Sequence, residues 1–342
     1  MEVEATPIWR IRRFSYFSTY GIIKYFPEYI SFLFFKNIII SMIEKIPIPI
    51  CGLILALLSL GNLLNDTHPY LKVICGLTAG IFLILILSKL VLYPENIRKD
   101  FKNPIIVSNS GTFSMSLMIL STYLSSFIPN IAYGVWILGV GLHILLIIYF
   151  TYHFIIRNFD ILTVYPSYWI VYIGITMGAI TAHAHGLDEI GFVFFLVGFA
   201  AMIITLPLVI YRYLKYSSIP DANKPLICIF TAVLSILIVG YLNSYNTISI
   251  EFLEVMYLFA CIFYIFALAK FIEYRNLDFY PSFSAFTFPF VISGLATRGV
   301  ISKIGSNIIL SGVLTFQTII ATAAVLYVMV KYIKFLSRNE ST

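Results

Sequence analysis

A succession of apolar blocks, each about 20 residues long, fills most of the chain between residues 47 and 334 and constrains its fold more than any other feature. A block of that length forms a helix that can cross a hydrocarbon core of about 30 Å. Hydrophobic residues make up 60% of the 342 residues and charged residues only 11%, whereas an average soluble domain is about 25% charged. The sequence therefore predicts an all-α polytopic membrane protein.

Ten blocks can be separated, and we interpret them as ten transmembrane helices. They cover residues 47–65, 69–93, 104–127, 131–156, 166–184, 189–214, 225–245, 250–273, 281–299 and 304–334. We expect residues 46–335 to form one ten-helix domain, preceded by a basic and aromatic segment, residues 1–45, and followed by a tail, residues 336–342. Within the first segment, residues 14–42 are amphipathic, which favours a helix along the membrane surface over an eleventh span.

Lysine and arginine are distributed unevenly between the two sides of the predicted spans. With both termini inside, nineteen of the 22 lie in cytoplasmic segments, and only Lys72, Arg298 and Lys303 lie on the other side. This asymmetry follows the positive-inside rule, so we expect a multi-pass protein of the inner membrane with both termini in the cytoplasm. The net charge of +6 then reflects topology, and no nucleic-acid partner is predicted.

The ten blocks also form an internal repeat, because alternate blocks begin at a proline. Proline is well placed in the first turn of a helix, where its missing N–H needs no partner. Counted from Pro49, the successive prolines are separated by 55, 62, 59 and 56 residues, at Pro104, Pro166, Pro225 and Pro281. Each unit of the repeat is therefore interpreted as a hairpin of two antiparallel helices.

The two helices of each hairpin differ in polarity. The second is almost wholly apolar, whereas the first carries small and hydroxyl residues, as in SNSGTFSMS at 108–116 and SAFTFPFVISG at 284–294. Such residues either let helices pack closely and bond to each other or line a water-filled path. Because the polar members alternate through all five units, we favour five inner helices around a path, shielded by five outer ones. The candidates for lining this path or kinking its helices are Gly52, Ser59, Pro104, Ser108, Gly111, Thr112, Pro166, Gly174, Gly178, Pro225, Thr231, Ser235, Pro281, Ser284, Thr287 and Pro289.

Enzymatic chemistry has little support in the sequence. No metalloprotease, Walker, Rossmann or nucleophile-elbow pattern occurs, and no pair of carboxylates lies in the middle of a block. His183 and His185, two positions apart at a helix end, do not share a face, and the four cysteines lack CxxC or Cys/His spacing. The sequence therefore predicts no enzyme, no metal site and no cofactor.

The scarcity of ionisable residues within the blocks also bears on transport. Carriers coupled to protons or sodium usually place acids or histidines deep in the membrane. Here the inner blocks are almost free of acids, and His143 lies in an outer block, where we interpret it as a packing residue. A cation path calls for rings of acids, and none can be assembled. An anion path needs only hydroxyl and N–H donors that face water. Arg298, near the end of the ninth block, is a candidate for attracting anions to a mouth, or it is an interfacial arginine whose head reaches for water.

Several stretches resemble one known family of membrane proteins. The strings IPIPICGLILALLSLGNLL, VYPSYWIVYIGI, PLVIYRYLK and FYPSFSAFTFPFVIS are similar to the bacterial and archaeal branch of the tellurite-resistance/dicarboxylate transporter family. That family also contains plant slow-type anion channels, fungal malate permeases and sulfite efflux pumps. The similarity covers roughly residues 44–335.

The resemblance implies five helical hairpins in a quasi-fivefold arrangement around a central pore, generally in a homotrimer. It also implies that a phenylalanine of the ninth span occludes the pore, and the matching motif at residues 286–289 assigns this role to Phe288. Two positions depart from the family pattern. Ser284 stands where relatives often have tryptophan, and Gly52 lies near a position where some have proline, which leaves pore width and selectivity open.

We therefore expect an anion channel, or a channel-like transporter, that conducts small inorganic or carboxylate anions through a central pore in the lipid bilayer. One alternative is a proton-coupled carrier of C4-dicarboxylates such as malate, or of sulfite or tellurite; a second is a non-conducting membrane scaffold or sensor. Dependence of flux on a pH gradient would favour the carrier, and absence of any anion flux would favour the scaffold. Chloride, nitrate, malate, sulfite and tellurite would meet the same hydroxyls, so the sequence leaves the choice of anion open.

Overall fold

A computed structural model describes residues 40–244 and 247–338. The chain divides into two units, Met1–Lys45 and Ile46–Thr342. Residues 40–45 of the first unit are helical, and the rest of the predicted surface helix over residues 14–42 lies outside the described residues. The described part of the second unit is built from helices and contains no β-strand, which confirms the predicted all-α class.

The second unit contains twelve described α-helices, joined by short turns or by π-helical and 3-10 segments. They are α1 (Ile50–Leu64), α2 (Pro69–Leu92), α3 (Pro94–Asp100), α4 (Pro104–Leu124), α5 (Pro129–Phe150), α6 (Tyr168–Tyr172), α7 (Thr176–Ala182), α8 (Asp188–Lys215), α9 (Phe230–Ser244), α10 (Ile250–Tyr274), α11 (Phe288–Ile304) and α12 (Ile308–Ser337). Helix α5 continues as a π-helix over Thr151–Arg157, and 3-10 segments over Asp221–Ile229 and Pro281–Phe286 precede α9 and α11.

Prolines and capping side chains set where many of these helices begin. Helices α2, α3, α4 and α5 each begin at a proline, whose missing N–H costs nothing in the first turn. The Oγ of Ser249 accepts a hydrogen bond from the N–H of Phe252 at 3.2 Å, and the Oδ1 of Asn307 accepts one from the N–H of Leu310 at 2.8 Å. Helices α10 and α12 therefore begin with side-chain caps.

Length and composition identify the membrane-spanning elements. Within the described ranges, eight helical stretches are long and apolar enough to cross a membrane, and α1 is a shorter apolar helix. The predicted block at residues 166–184 is divided between α6 and α7. The protein is thus an all-α polytopic membrane protein, while the count of ten spans and their quasi-fivefold arrangement remain predictions.

The spanning stretches fall into two groups by burial. In their most apolar 18 residues, 94% are buried in Asp221–Ser244, 78% in Pro281–Ile304 and 67% in α4, and α1 is also almost wholly buried. The corresponding shares for α2, α5, α8, α10 and α12 are only 22–33%, and side chains such as Ile84 and Leu214 are exposed. Because lipid tails are as apolar as these side chains, the second group presents its exposed face to hydrocarbon.

The helical path between α6 and α7 is interrupted at Gly174. A Cβ added there would lie 2.1 Å from the carbonyl oxygen of Ile170 and 2.8 Å from the Cε1 of His143, so only glycine fits without a shift. The Nε2 of His143 donates to the carbonyl of Val171 at 3.1 Å, and its Nδ1 lies 2.7 Å from the Oγ of Ser114. A buried histidine of α5 therefore joins α4 to the interrupted segment.

Candidate functional site

A cavity of about 40 Å³, the central cavity, lies among the buried stretches. Its lining comes from α1, α4, α6 and the turn after it, and from α9 and α11 with their 3-10 segments. In the part of the chain that the structure describes, no side chain of this lining is ionisable. The lining residues are Gly52, Asn109, Thr112, Met115, Trp169, Ile170, Ile173, Gly174, Ile229, Ala232, Val233, Ile236, Ser284, Ala285, Phe288 and Pro289.

Phe288 reaches the central cavity from the first residue of α11. The preceding 3-10 segment ends at Phe286, and Thr287 adopts φ −106° and ψ −82° before the α-helix begins. Pro289 has no N–H to donate to the carbonyl of Ala285, so a regular helix is broken at this point. Phe288 is 7% exposed. The break in the backbone therefore fixes where the Phe288 ring stands relative to the other lining residues.

Two hydroxyl groups near the central cavity, those of Thr112 and Thr287, donate to backbone carbonyls. The Oγ1 of Thr112 donates to the carbonyl of Asn109 at 2.7 Å. The Oγ1 of Thr287 lies 2.6 Å from the carbonyl of Ser284 and 3.3 Å from that of Gly52. Because a hydroxyl carries one proton, each of these groups offers lone pairs, and no spare donor, to its surroundings in this state.

Trp169 adds a donor of another kind to the lining. Its Nε1 is buried and has no hydrogen-bond partner among the described residues. Its ring packs edge-on against Phe230, with centroids 4.7 Å apart. An indole N–H can only donate. The central cavity is thus mostly apolar, and an unpaired N–H donor belongs to one of its lining residues.

A larger cavity of about 370 Å³, the polar cavity, lies nearer to the far ends of α1, α4, α9 and α11, and α7 and Lys72 of α2 also line it. Its lining includes Lys72 and Arg298 as cations and Asp66 as a carboxylate. The Nη1 of Arg298 donates to the Oδ2 of Asp66 and to the carbonyl of Asn62, both at 2.9 Å. The Nζ of Lys72 lies 4.8 Å from the ring centroid of Tyr123. Two cations against one carboxylate give this lining a positive bias.

The residues predicted from the sequence lie in four kinds of place: the central cavity, the polar cavity, positions at or near the starts of segments, and contacts within and between helices. Those that line the central cavity are Gly52, Thr112, Gly174, Ser284, Phe288 and Pro289. Arg298 lines the polar cavity. The prolines of the repeat lie at the starts of segments: Pro104 begins α4, Pro281 begins a 3-10 segment, Pro225 lies within the other, and Pro166 precedes α6 by two residues.

The remaining candidates lie in helix contacts. Ser59 and Ser108 donate to carbonyls of their own helices, those of Leu55 and Ile105, and Thr287 makes the bonds described above. The Oγ1 of Thr231 and the Oγ of Ser235 lie 2.8 Å and 3.1 Å from the Oγ of Ser293 in α11.

Two of the predicted glycines have side chains of neighbouring segments close by. A Cβ at Gly111 would lie 3.0 Å from a methyl group of Ile170, and one at Gly178 would lie 2.7 Å from the ring of Phe194. For these two residues, close helix packing is the role that the contacts support.

Several lining residues were absent from the sequence-based set. Asn109 could have been identified from the sequence, because it is an amide within an apolar block and lies between two serines. Trp169 follows the YPS string at residues 165–167. The aliphatic members, such as Ile173 and Ile236, carry no signal that separates them from isoleucines in ordinary helix contacts.

Buried helices around an uncharged cavity, with a positively biased cavity beyond it and an outer group of lipid-facing helices, define a multi-pass membrane transport protein. The chain belongs to the voltage-dependent anion channel family (SLAC1), whose model matches residues 45–333. It is also similar to an uncharacterized transporter of Methanocaldococcus jannaschii, with 24% identity over 253 residues that cover 67% of this chain and 74% of that protein. The family resemblance seen in the sequence is confirmed, and membership supports an anion channel or transporter.

Proposed function

We propose that the protein conducts small anions passively through a pore that includes both cavities, and that the ring of Phe288 occludes this pore at the central cavity. The observation that carries the proposal is the lining of the central cavity: every buried stretch contributes to it, and the ring of Phe288 stands there with that of Trp169 among uncharged groups. A constriction of this kind stops ions by excluding water, without any charge.

The size of the central cavity supports occlusion. It measures about 40 Å³, and a cavity needs about 10–15 Å³ in such a measure to hold one water molecule, so this cavity has room for only a few. An anion with even part of its hydration shell needs more room than this. Conduction therefore requires the ring of Phe288 to move aside, and the removal of the ring should have the same effect.

The charge distribution favours anions over cations. The described lining of the central cavity holds no carboxylate, and Trp169 contributes an N–H donor there. Lys72 and Arg298 place positive charge at the polar cavity, where they raise the local concentration of anions. A proton-coupled carrier is less well supported, because coupling usually requires an ionisable group deep in the path.

The proposal extends to topology and assembly. Ten spans form five hairpins, and the protein lies in the inner membrane with both termini in the cytoplasm. Three copies form a homotrimer in which each protomer has its own pore. The distribution of lysine and arginine supports the orientation, and the resemblance to the family supports the trimer.

The test is the anion flux of Phe288→Ala in liposomes, measured with the full-length protein. We expect at least a tenfold rise in chloride or nitrate flux, because the variant loses the ring that closes the path. The matched control is Phe286→Ala, since the ring of Phe286 packs against Phe271 and Phe283 and does not belong to the cavity lining.

Unchanged flux in a monodisperse Phe288→Ala protein would overturn the assignment of the gate, and so would an equal rise in the control. The same liposomes with an imposed pH gradient separate the alternatives. Flux that follows the pH gradient would indicate the coupled carrier, and absence of flux in both the parent protein and Phe288→Ala would indicate the non-conducting scaffold.

A further inference from the structure

A groove of about 700 Å³ lies between the last turns of α12 and the loop after α10. Lys331 and Lys334 line it from α12, Arg338 follows at the end of that helix, and residues 276–279 form the opposite wall. We name it the basic groove. It shares no lining residue with the central cavity or the polar cavity, so it is separate from the proposed pore.

The charge of the basic groove is strongly positive. Its three cationic side chains are spaced three and four residues apart, which places them on one side of the helix end. Asp278 is the carboxylate of the lining, so three cations against one carboxylate leave a formal charge of +2. Neither Lys331 nor Lys334 has an ion pair with a described carboxylate, and the Nζ of Lys331 lies 5.4 Å from the ring centroid of Tyr327.

The position of the basic groove favours a lipid over a soluble anion as its ligand. Helix α12 is lipid-facing and exposes Val330 and Ile333 beside the two lysines, and Phe335 adds an apolar wall. A change from apolar to basic side chains within one helical turn is typical of the headgroup level of a bilayer. A soluble anion would use the charges alone, whereas a phospholipid uses the charges and the apolar wall together.

The basic groove is also connected to the segment that carries Phe288. Its loop wall continues directly into the 3-10 segment Pro281–Phe286. The hydroxyl of Tyr332, which lies between the two lysines in the sequence, donates to the carbonyl of Pro281 at 2.5 Å. The ring of Phe279 packs against Tyr332 and Phe335, with centroids 5.1 Å and 5.3 Å apart. The wall of the groove and the start of the 3-10 segment are therefore held by the same turn of α12.

We propose that the basic groove binds the phosphate headgroup of an anionic phospholipid and that the bound lipid stabilises the start of the 3-10 segment. Lys331 and Lys334 pair with the phosphate, and Val330 and Phe335 contact the glycerol and the first methylene groups. This binding does not depend on conduction, because it uses residues outside both cavities.

The test is lipid binding to the purified full-length protein in a neutral detergent. Phosphatidylglycerol, phosphatidylcholine with the same acyl chains, and inorganic phosphate are added separately, and binding is followed by native mass spectrometry and by the midpoint of thermal unfolding. Phosphatidylglycerol should bind and raise the midpoint, whereas the other two should do neither. The double variant Lys331→Gln/Lys334→Gln should bind phosphatidylglycerol at least tenfold more weakly, because each lysine near an anionic lipid surface contributes a factor of about five.

The matched control is Lys99→Gln/Lys102→Gln, which removes two exposed lysines on the same predicted side of the membrane and outside the groove. It should bind phosphatidylglycerol as the parent protein does. An equal loss in this control, an unchanged affinity in the groove variant, or equal binding of phosphatidylcholine would overturn the proposal. Inorganic phosphate that displaces the lipid at similar concentration would identify a site for free anions and would overturn the lipid assignment. None of these outcomes depends on whether Phe288→Ala changes the flux.

Discussion

The central cavity and the polar cavity share four lining helices, α1, α4, α9 and α11, yet they differ in size and in charge. The first measures about 40 Å³ and its described lining is uncharged; the second measures about 370 Å³ and includes Lys72, Arg298 and Asp66. Burying a charge away from water costs free energy, and this cost is lower for a residue near the end of a helix, where solvent is close. Arg298 lies near the end of α11, the helix that begins with Phe288, whereas Lys72 comes from α2 and Asp66 from the turn after α1. The comparison indicates that shared helices can line a neutral cavity and a charged one, with an outer helix adding to the charge.

The strongest test of the electrostatic difference between the two cavities is to place a carboxylate in each of them. In a Phe288→Ala background, where flux is measurable, Thr112→Asp puts a negative charge in the central cavity and Asn243→Asp puts one in the polar cavity. At about 5 Å and an effective dielectric constant of about 20, repulsion of a passing anion is about 3 kcal/mol, which lowers flux more than 100-fold. Asn243→Asp should retain about a third of the flux or more, since water screens the charge there.

Thr112→Asn, with the same shape and no charge, is the control for the first of these variants in a liposome flux assay. Equal losses for the aspartate and asparagine variants would assign the effect to shape and not to charge. Equal losses for the two aspartate variants would mean that the cavities do not differ electrostatically.

A smaller effect is expected from adding a methyl group to the backbone beside each cavity. Gly174→Ala would place a Cβ 2.1 Å from a backbone oxygen, whereas Gly299→Ala, beside Arg298, would meet the Cδ1 of Leu242 at 2.6 Å. The end of a leucine side chain can rotate away, but the backbone of the interrupted segment cannot. Gly174→Ala should lower the free energy of unfolding by about 2 kcal/mol, a typical cost of overpacking, and Gly299→Ala by much less.

Thermal unfolding of the two purified alanine variants measures this difference. A midpoint for Gly174→Ala equal to that of the parent protein would contradict a rigid break between α6 and α7.

The smallest effect concerns the charge at the polar cavity. Arg298→Gln should lower anion flux about threefold at low ionic strength, because a fixed charge at a mouth acts by concentrating the ion. The deficit should shrink at high salt, where the Debye length falls to about 3 Å at 1 M. Arg298→Lys should restore most of the flux.

Lys303→Gln is the control for Arg298→Gln, since Lys303 is exposed and does not line the polar cavity. A loss of flux in Arg298→Gln that is the same at all salt concentrations would point to the bonds of Arg298 with Asp66 and Asn62 in place of its charge.

The elements of the fold that the sequence predicts well depend on local properties. Apolar length indicates where α2, α4 and α12 lie, because a helix of sufficient length can cross the bilayer. A proline, which is tolerated in the first turn, marks the start of α2 and α4. Gly174 is one of the residues expected to line the path or to kink a helix, but the division of the block into two helices at this position was not predicted. It depends on contacts of Gly174 with a histidine of another helix, and such contacts leave no local pattern.

The lining of the central cavity was predictable only in part, because the sequence does not determine how each helix is rotated about its own axis. Whether Ile236 faces the cavity or a neighbouring helix depends on how far α9 is turned about its own axis, which composition does not determine. The hydroxyl stripes were ambiguous for a related reason. Ser108 and Thr112 both donate to carbonyls of α4, although Thr112 lines the cavity and Ser108 does not.

The 3-10 segments Asp221–Ile229 and Pro281–Phe286 change how far the chain travels through the membrane. A 3-10 helix rises about 2.0 Å per residue and an α-helix about 1.5 Å. Over these lengths the two segments extend about 4.5 Å and 3 Å further than α-helices of the same number of residues. Depth in the bilayer therefore does not follow residue number at one constant rate, and Phe288 stands about 3 Å, roughly half a helical turn, further along than an uninterrupted α-helix starting at Pro281 would place it.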